Sequence, residues 1–186
     1  MPGIVLTFDK KYNKFINNLY KNINKKIGKD LISLNKIPHI SLMRIQKNFN
    51  DNSIENIKIG LENINMKNIN IFIKGIGIFK KEEDKFVLFL IPEYDIAFQK
   101  IHSKIWHIFR KKLDLLQEEY YSPESYSPHL TIPIKEPTKN NIMLVLNNML
   151  DINTQFTLKT KSIVFLNTSK ETKETIIHVK KDLLKF

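Results

Sequence analysis

The chain has 186 residues, of which 42% are hydrophobic, so it is long and apolar enough to bury the core of one soluble globular domain. It contains no cysteine, which excludes disulfides and thiolate zinc sites, and no apolar run approaches the roughly 18 residues that cross a bilayer. The net charge of +11 favours a polyanionic partner, but nearly all of the 30 basic residues are lysine, a bias that an A/T-rich genome also produces.

The first part of the chain predicts a strand, a helix and a second strand. The run Gly3–Phe8 is rich in β-formers, and Asp9 follows it as a helix N-cap. Apolar residues then recur at helical spacing as far as Gly28, where we expect the helix to end. Pro38 favours extended backbone, which predicts a strand that continues to about Ile45. Early lysines rule against a secretory signal, so we expect a cytoplasmic protein.

In the rest of the chain, segments with apolar residues at helical spacing alternate with segments whose apolar residues have strand spacing. Polar turn residues begin at Asn48, and Asp51 or Ser53 can cap a helix that ends near Ile64. The remaining predictions are a strand over 69–73, a hairpin loop over 81–85, a strand over 86–91, a helix over 94–113, a tyrosine-bearing loop over 118–126, a strand ending near 133, a helix over 138–150, and strands over 154–167 and 174–180 joined by a polar loop over 168–173. The predicted order is β-α-β-α-β-β-α-β-α-β-β.

A pair of glycines, Gly75 and Gly77, interrupts one strand pattern. Glycines inside a strand indicate either a bulge or a place where another backbone or a ligand comes close. We favour a bulge that curves the sheet and keep direct substrate contact as the alternative.

One five-residue pattern occurs twice in the chain. Segment 38–42 reads Pro-His-Ile-Ser-Leu, and segment 128–132, about ninety positions later, reads Pro-His-Leu-Thr-Ile. A single histidine two residues before a hydroxyl is near chance level, but the repetition with the same proline and apolar flanks is not. Aligning the two segments also aligns a following helix and a later strand pair, which indicates a duplicated α+β unit.

Each segment presents an imidazole and a hydroxyl on one side of a strand. Side chains at i and i+2 share a face, so His39 lies beside Ser41 and His129 beside Thr131. If the two faces meet, one neutral imidazole can accept a proton while the other, protonated, donates one to a leaving oxygen. The hydroxyls can donate to phosphate oxygens, where charge develops in the transition state. This set suits phosphoryl chemistry without a metal.

The paired motifs resemble those of the two-histidine (2H) phosphoesterases, most closely the 2'-5' RNA ligase-like branch. The Gly-Ile-Gly-Ile-Phe segment 75–79 and the order of the elements are also similar to that family, over about residues 1–183. The resemblance implies an α+β, bilobal 2H-phosphoesterase-like fold. Two pseudo-symmetric lobes, each with an antiparallel sheet and helices, would form a single domain over 1–186, with the active-site cleft between them.

The predicted function is a metal-independent phosphodiesterase that acts on 2',3'-cyclic phosphate or 2',5'-linked bonds in RNA or nucleotides, with RNA ligation as the reverse reaction. We expect catalysis by His39, Ser41, His129 and Thr131, no cofactor, no metal, an RNA or nucleotide substrate, no membrane association and a monomer. One alternative is a catalytically silent RNA- or nucleotide-binding module. Another is a phosphodiesterase for a signalling oligonucleotide or cyclic dinucleotide.

Two further side chains are candidates for substrate binding. Tyr126 could stack on a base, and Arg44 could hold a phosphate. Each lies three residues from a motif histidine, so a regular strand would turn it away and a bend or bulge is required. The other histidines, His102, His107 and His178, are predicted to be surface or boundary residues, because none has metal-ligand spacing.

Overall fold

The computed structural model describes residues 2–34, 36–45, 50–113, 118–168 and 175–184. Its elements follow the predicted order with one short helix added. The strands are β1 (Gly3–Phe8), β2 (His39–Arg44), β3 (Asn70–Glu82), β4 (Lys85–Pro92), β5 (Leu130–Thr131), β6 (Phe156–Thr168) and β7 (Thr175–Asp182), and the helices are α1 (Lys10–Ile27), α2 (Asp51–Glu62), α3 (Ile96–Phe109), α4 (Glu118–Tyr121) and α5 (Lys139–Met149). The turn predicted at 48–49 and the loop predicted at 169–173 lie outside the described residues.

The helix ends follow capping chemistry. Helix α1 starts after Asp9 and ends at Gly28, whose φ of 70° is the left-handed conformation that glycine adopts without a Cβ clash. Helix α2 is capped by Asn50, not by the predicted Asp51 or Ser53, because the Asn50 side chain accepts from the Ser53 N–H in a capping box. None of the helices in the described part of the chain is long and apolar enough to cross a membrane.

All seven strands belong to one antiparallel sheet, which confirms the predicted α+β class. The pairing order is β1-β2-β5-β4-β3-β6, and β6 also pairs with β1, so six strands close a cycle and β7 lies outside it against β6. Strand β6 is long enough to bond β3 through residues 156–159 and β1 through residues 160–166. This double pairing closes the cycle of strands, in which the motif strands β2 and β5 are paired neighbours.

One face of the sheet carries the core. Leu6, Ile40, Leu130 and Leu90 are successive cross-strand partners, and each is fully buried. They belong to one hydrophobic cluster with residues of helices α1, α2, α3 and α5. Strand side chains alternate between faces, so the neighbours of these residues project from the opposite face, which we call the cleft face.

One of the histidines predicted at the surface or boundary lies in the core, whereas His178 is at the boundary. His102 on α3 is fully buried, because its ring stacks on Tyr126 at 3.7 Å and its Nδ1 is 2.7 Å from the Tyr94 hydroxyl. His178 is half-buried, with its ring 5.2 Å from that of Phe165. His107 is exposed, as predicted.

Candidate active site

The two motif strands are neighbours, and they pair at the middle residue of each motif. Ile40 on β2 is the antiparallel partner of Leu130 on β5. The same register sets His39 opposite Thr131 and Ser41 opposite His129 on the cleft face. His39 and His129 are then diagonal neighbours, for which the separation is about 7–8 Å. The fold therefore brings all four predicted catalytic residues together.

A bulge in β2 turns Arg44 towards the same face. The register shifts where Ile4 pairs with Met43 but Val5 pairs with Ser41, so Leu42 is an extra residue. Leu42 and Met43 are both buried as a result, and Arg44, opposite Gly3, returns to the face of His39. This is the bend that the sequence required for Arg44 to reach the cleft.

Backbone carbonyls fix the orientation of both imidazoles. Nδ1 of His39 is 2.7 Å from the carbonyl oxygen of Ile37, and Nδ1 of His129 is 3.2 Å from that of Ser127. A carbonyl oxygen only accepts, so Nδ1 carries the proton and donates in each contact. Each Nε2 is then left to exchange a proton with a ligand.

Both imidazoles have a pKa below that of a free histidine, so each stays neutral to a lower pH. Burial is the main cause that lowers the pKa of His39, and the charges of Arg44, His129 and Lys36 lower it further. Burial also lowers the pKa of His129, with a smaller contribution from Arg44. The strand register, which puts Arg44, His39 and His129 on one face, explains why the charge of Arg44 acts on both rings.

The hydroxyls differ in their surroundings. Ser41 is half-buried on β2, between Val5 of β1 and the strand of His129. Thr131 is exposed on β5 and faces Phe89 of β4. Both side chains lie on the cleft face beside an imidazole, so either can donate a hydrogen bond to an anion held there.

Tyr126 does not lie at the cleft mouth, contrary to the prediction that it stacks on a base. Only 6% of it is exposed, and its hydroxyl donates to the carbonyl oxygen of Ser41 at 2.7 Å. Its ring is stacked on His102. Tyr126 therefore holds β2 from the core side, and no face of its ring is open to a ligand.

Three aromatic residues near the site were not predicted. Phe79 and Phe89 flank the His129 ring, with centroids 5.5 Å and 5.6 Å from it. Tyr120, 37% exposed, is close enough to Arg44 for the arginine charge to act on its pKa, which burial raises. Phe79 lies two residues after Gly77 on β3, and Phe89 is the cross-strand partner of Gly77. The glycine pair was therefore the signal available in the sequence.

The bulge predicted at the glycine pair is present, and direct substrate contact stays a prediction. The β3–β4 register shifts between Ile73 and Gly75, so a bulge lies at the first glycine. Gly77 is instead the cross-strand partner of Phe89, whose ring would be 2.4 Å from a Cβ at that position.

Among the described residues, no group of three or more His, Cys, Asp or Glu side chains could hold a metal ion.

Solved structures share this fold. The protein TT0787 of Thermus thermophilus matches with a TM-score of 0.66 and 13% identity over 98% of each chain. A structure described as a phosphoesterase matches with a TM-score of 0.64 and 8% identity over 98% of this chain and 97% of that one. Usb1 of Kluyveromyces marxianus matches with a TM-score of 0.51 and 9% identity over 94% of each chain. No protein-family model and no curated protein matches the sequence. The predicted phosphoesterase-like fold is thereby confirmed.

Proposed function

We propose that this protein is a metal-independent phosphodiesterase that opens 2',3'-cyclic phosphates or cleaves 2',5'-phosphodiester bonds in RNA or nucleotides. The observation that carries the proposal is the pairing of the two motifs at Ile40 and Leu130, a register in which two imidazoles and two hydroxyls share one face of neighbouring strands. Arg44 on the same face adds a fixed positive charge that favours a phosphate. The likeness in fold to a phosphoesterase is consistent with this class of reaction.

In the proposed reaction, His39 is the base and His129 is the acid. The charges of Arg44 and Lys36 both favour the neutral form of His39, whereas of these two only Arg44 acts in this way on His129, so we assign the proton to His129. Nε2 of His39 takes a proton from water, and the water oxygen attacks phosphorus. The bond to the ribose oxygen breaks, and Nε2 of His129 gives that oxygen its proton. Exchange with solvent then restores both rings.

The hydroxyls and Arg44 bind the phosphoryl group. Ser41 and Thr131 donate to its non-bridging oxygens, on which charge develops as the new bond forms. Arg44 lies on the same face and neutralises part of that charge. The product of hydrolysis is a phosphomonoester. In ligation, the 5'-hydroxyl of a second RNA takes the place of water: it loses its proton to the basic imidazole and attacks the 2',3'-cyclic phosphate, and the P–O3' bond breaks as the acidic imidazole protonates O3', which leaves a 2',5' linkage.

The test compares His39→Ala and His129→Ala with wild type on a nucleoside 2',3'-cyclic phosphate in EDTA. Loss of an acid or base lowers turnover by about 10²- to 10⁴-fold. His107→Ala, on the exposed side of α3, is the matched control. Motif variants as active as this control would contradict the assignment of the histidines. Loss of wild-type turnover on chelation would contradict the metal-independent reaction.

A further inference from the structure

The surroundings of the two histidines differ, although their motifs are nearly alike. The charges of Arg44 and Lys36 act on His39, and Thr7 of β1 is its cross-strand partner. The His129 ring instead meets two phenylalanines edge to face, at interplanar angles of 82° to Phe79 and 63° to Phe89. The cleft is therefore polar and positively charged beside one imidazole and aromatic beside the other.

The aromatic side is built into the sheet. Phe89 lies between Gly77 of β3 and Thr131 of β5 in one cross-strand row on the cleft face. Its ring lies so close to Gly77 that a Cβ there would be 2.4 Å from Cζ and 2.5 Å from Cε2. Because only glycine leaves that space, the ring packs directly on the backbone of β3. Phe79 packs on it with centroids 5.2 Å apart.

The two rings are not sealed into the core. Phe79 and Phe89 are both half-buried, whereas Leu88 and Leu90, which flank Phe89 in the chain, are fully buried on the other face. Phe89 also neighbours Thr131, whose side chain is exposed. Part of the aromatic surface is thus open to the cleft, adjacent to a hydroxyl that we assign to phosphate binding.

We propose that Phe79 and Phe89 form the binding site for the nucleobase of the substrate. This inference rests on the proposed function, because the phosphate at Thr131 and His129 places the attached nucleoside within reach of the rings. Stacking on an aromatic ring needs only the π-face of a base, so the site accepts all four bases and favours the larger purines. The base then lies on the side of His129, and the opposite side, with Arg44, receives the remainder of an RNA strand.

The test uses a ratio of two substrates, so that any shift of the His129 ring cancels. For wild type and Phe89→Leu, kcat/KM is measured for adenosine 2',3'-cyclic phosphate and for glycerol 1,2-cyclic phosphate, which has no base. We expect the nucleotide-to-glycerol ratio to fall about tenfold or more in Phe89→Leu, and also in Phe79→Leu. Leucine keeps apolar bulk and removes the π-face.

Phe72→Leu is the matched control, because Phe72 is an exposed phenylalanine on the same strand, seven positions before Phe79 and so about 23 Å away along it. A ratio unchanged from this control in both test variants would overturn the base site. Turnover of neither substrate by wild type would instead count against the proposed function. The base site is then judged by calorimetric binding of adenosine 3'-monophosphate and of glycerol 2-phosphate, where equal affinities of wild type and Phe89→Leu for the nucleotide would overturn it.

Discussion

The hydroxyl of Tyr126 donates a hydrogen bond of 2.7 Å to the carbonyl oxygen of Ser41. This bond joins the segment just before the second motif to the serine of the first motif. Tyr126 is three residues before His129, and it lies on the core side of β2. One side chain therefore fixes the relative position of the two halves of the site. It is a positioning residue that acts through Ser41.

Tyr126→Phe should destabilise the protein and slow turnover while leaving KM nearly unchanged. Loss of the donor leaves a buried carbonyl with one partner fewer, which costs about 1–2 kcal/mol. Urea denaturation measures this cost, and steady-state kinetics on a cyclic phosphate separate kcat from KM. Tyr12→Phe, at a half-buried tyrosine of α1 outside the site, is the control. A rise in KM with normal kcat would mean that Tyr126 binds substrate and does not position Ser41.

The pH dependence of kcat/KM should be bell-shaped, with its maximum on the acid side of 6.5. One imidazole must be neutral and the other protonated, and burial lowers the pKa of both His39 and His129 below that of a free histidine. With His39 as the base, the residual activity of His39→Ala should lose the acid limb, and that of His129→Ala should lose the basic limb. The opposite pattern would exchange the two roles.

Arg44 should set the position of that profile. Its charge lowers the pKa of both histidines, so Arg44→Gln removes a lowering influence and both limbs should move to higher pH. Arg44→Lys keeps the charge and should leave the limbs in place while weakening phosphate binding, because lysine lacks the bidentate fork. If the limbs of Arg44→Gln coincide with those of wild type, Arg44 does not act on the catalytic pair.

His102 should make the protein less stable as the pH falls. Burial lowers the pKa of His102 to about 4, against 6.5 for a free histidine, so the unfolded chain binds the extra proton between these values. Stability from this group is complete above 6.5 and is lost as the pH falls towards 4, by about 3 kcal/mol for a shift of this size. The loss should be smaller in His102→Phe, which keeps a ring against Tyr126.

Urea denaturation at several pH values measures this effect. His107→Phe, which replaces an exposed histidine of the same helix, is the matched control. An identical decline with falling pH in His102→Phe and in wild type would show that other groups carry it.

The arrangement of motif side chains on the cleft face could be predicted from sequence, because it depends only on the alternation of side chains along each strand. Alternation along a strand places His39 with Ser41 whatever the rest of the chain does. The bulge that admits Arg44 also has a local signature, since consecutive apolar residues at Leu42 and Met43 break the alternation. The order of strand and helix patterns, together with the family resemblance, was enough to predict the α+β class.

What could not be predicted depends on contacts between distant parts of the chain. Tyr126 was placed at the cleft mouth and His102 at the surface, yet the two rings stack on each other in the core. Buried polar aromatic residues usually find a hydrogen-bond partner, and here the Tyr94 hydroxyl pairs with Nδ1 of His102 while the carbonyl oxygen of Ser41 accepts from Tyr126. Tyr126 and Ser41 are 85 positions apart, so no periodicity in the sequence indicates their contact.

The two glycines of β3 should respond differently to the same substitution. At Gly77, an alanine Cβ would meet the Phe89 ring at 2.4 Å, so the ring must shift, and overpacking of this kind costs about 1–3 kcal/mol. At Gly75, no atom lies within 4 Å of the added Cβ, and alanine lowers the entropy of the unfolded chain, so stability should be unchanged or slightly higher. Urea denaturation of Gly77→Ala and Gly75→Ala compares the stability of the two variants within one strand.

Because a displaced Phe89 also disturbs the proposed base site, Gly77→Ala should lower the nucleotide-to-glycerol ratio of kcat/KM more than Gly75→Ala does. Equal stability and equal ratios in the two variants would show that the Phe89 ring does not depend on the space at Gly77.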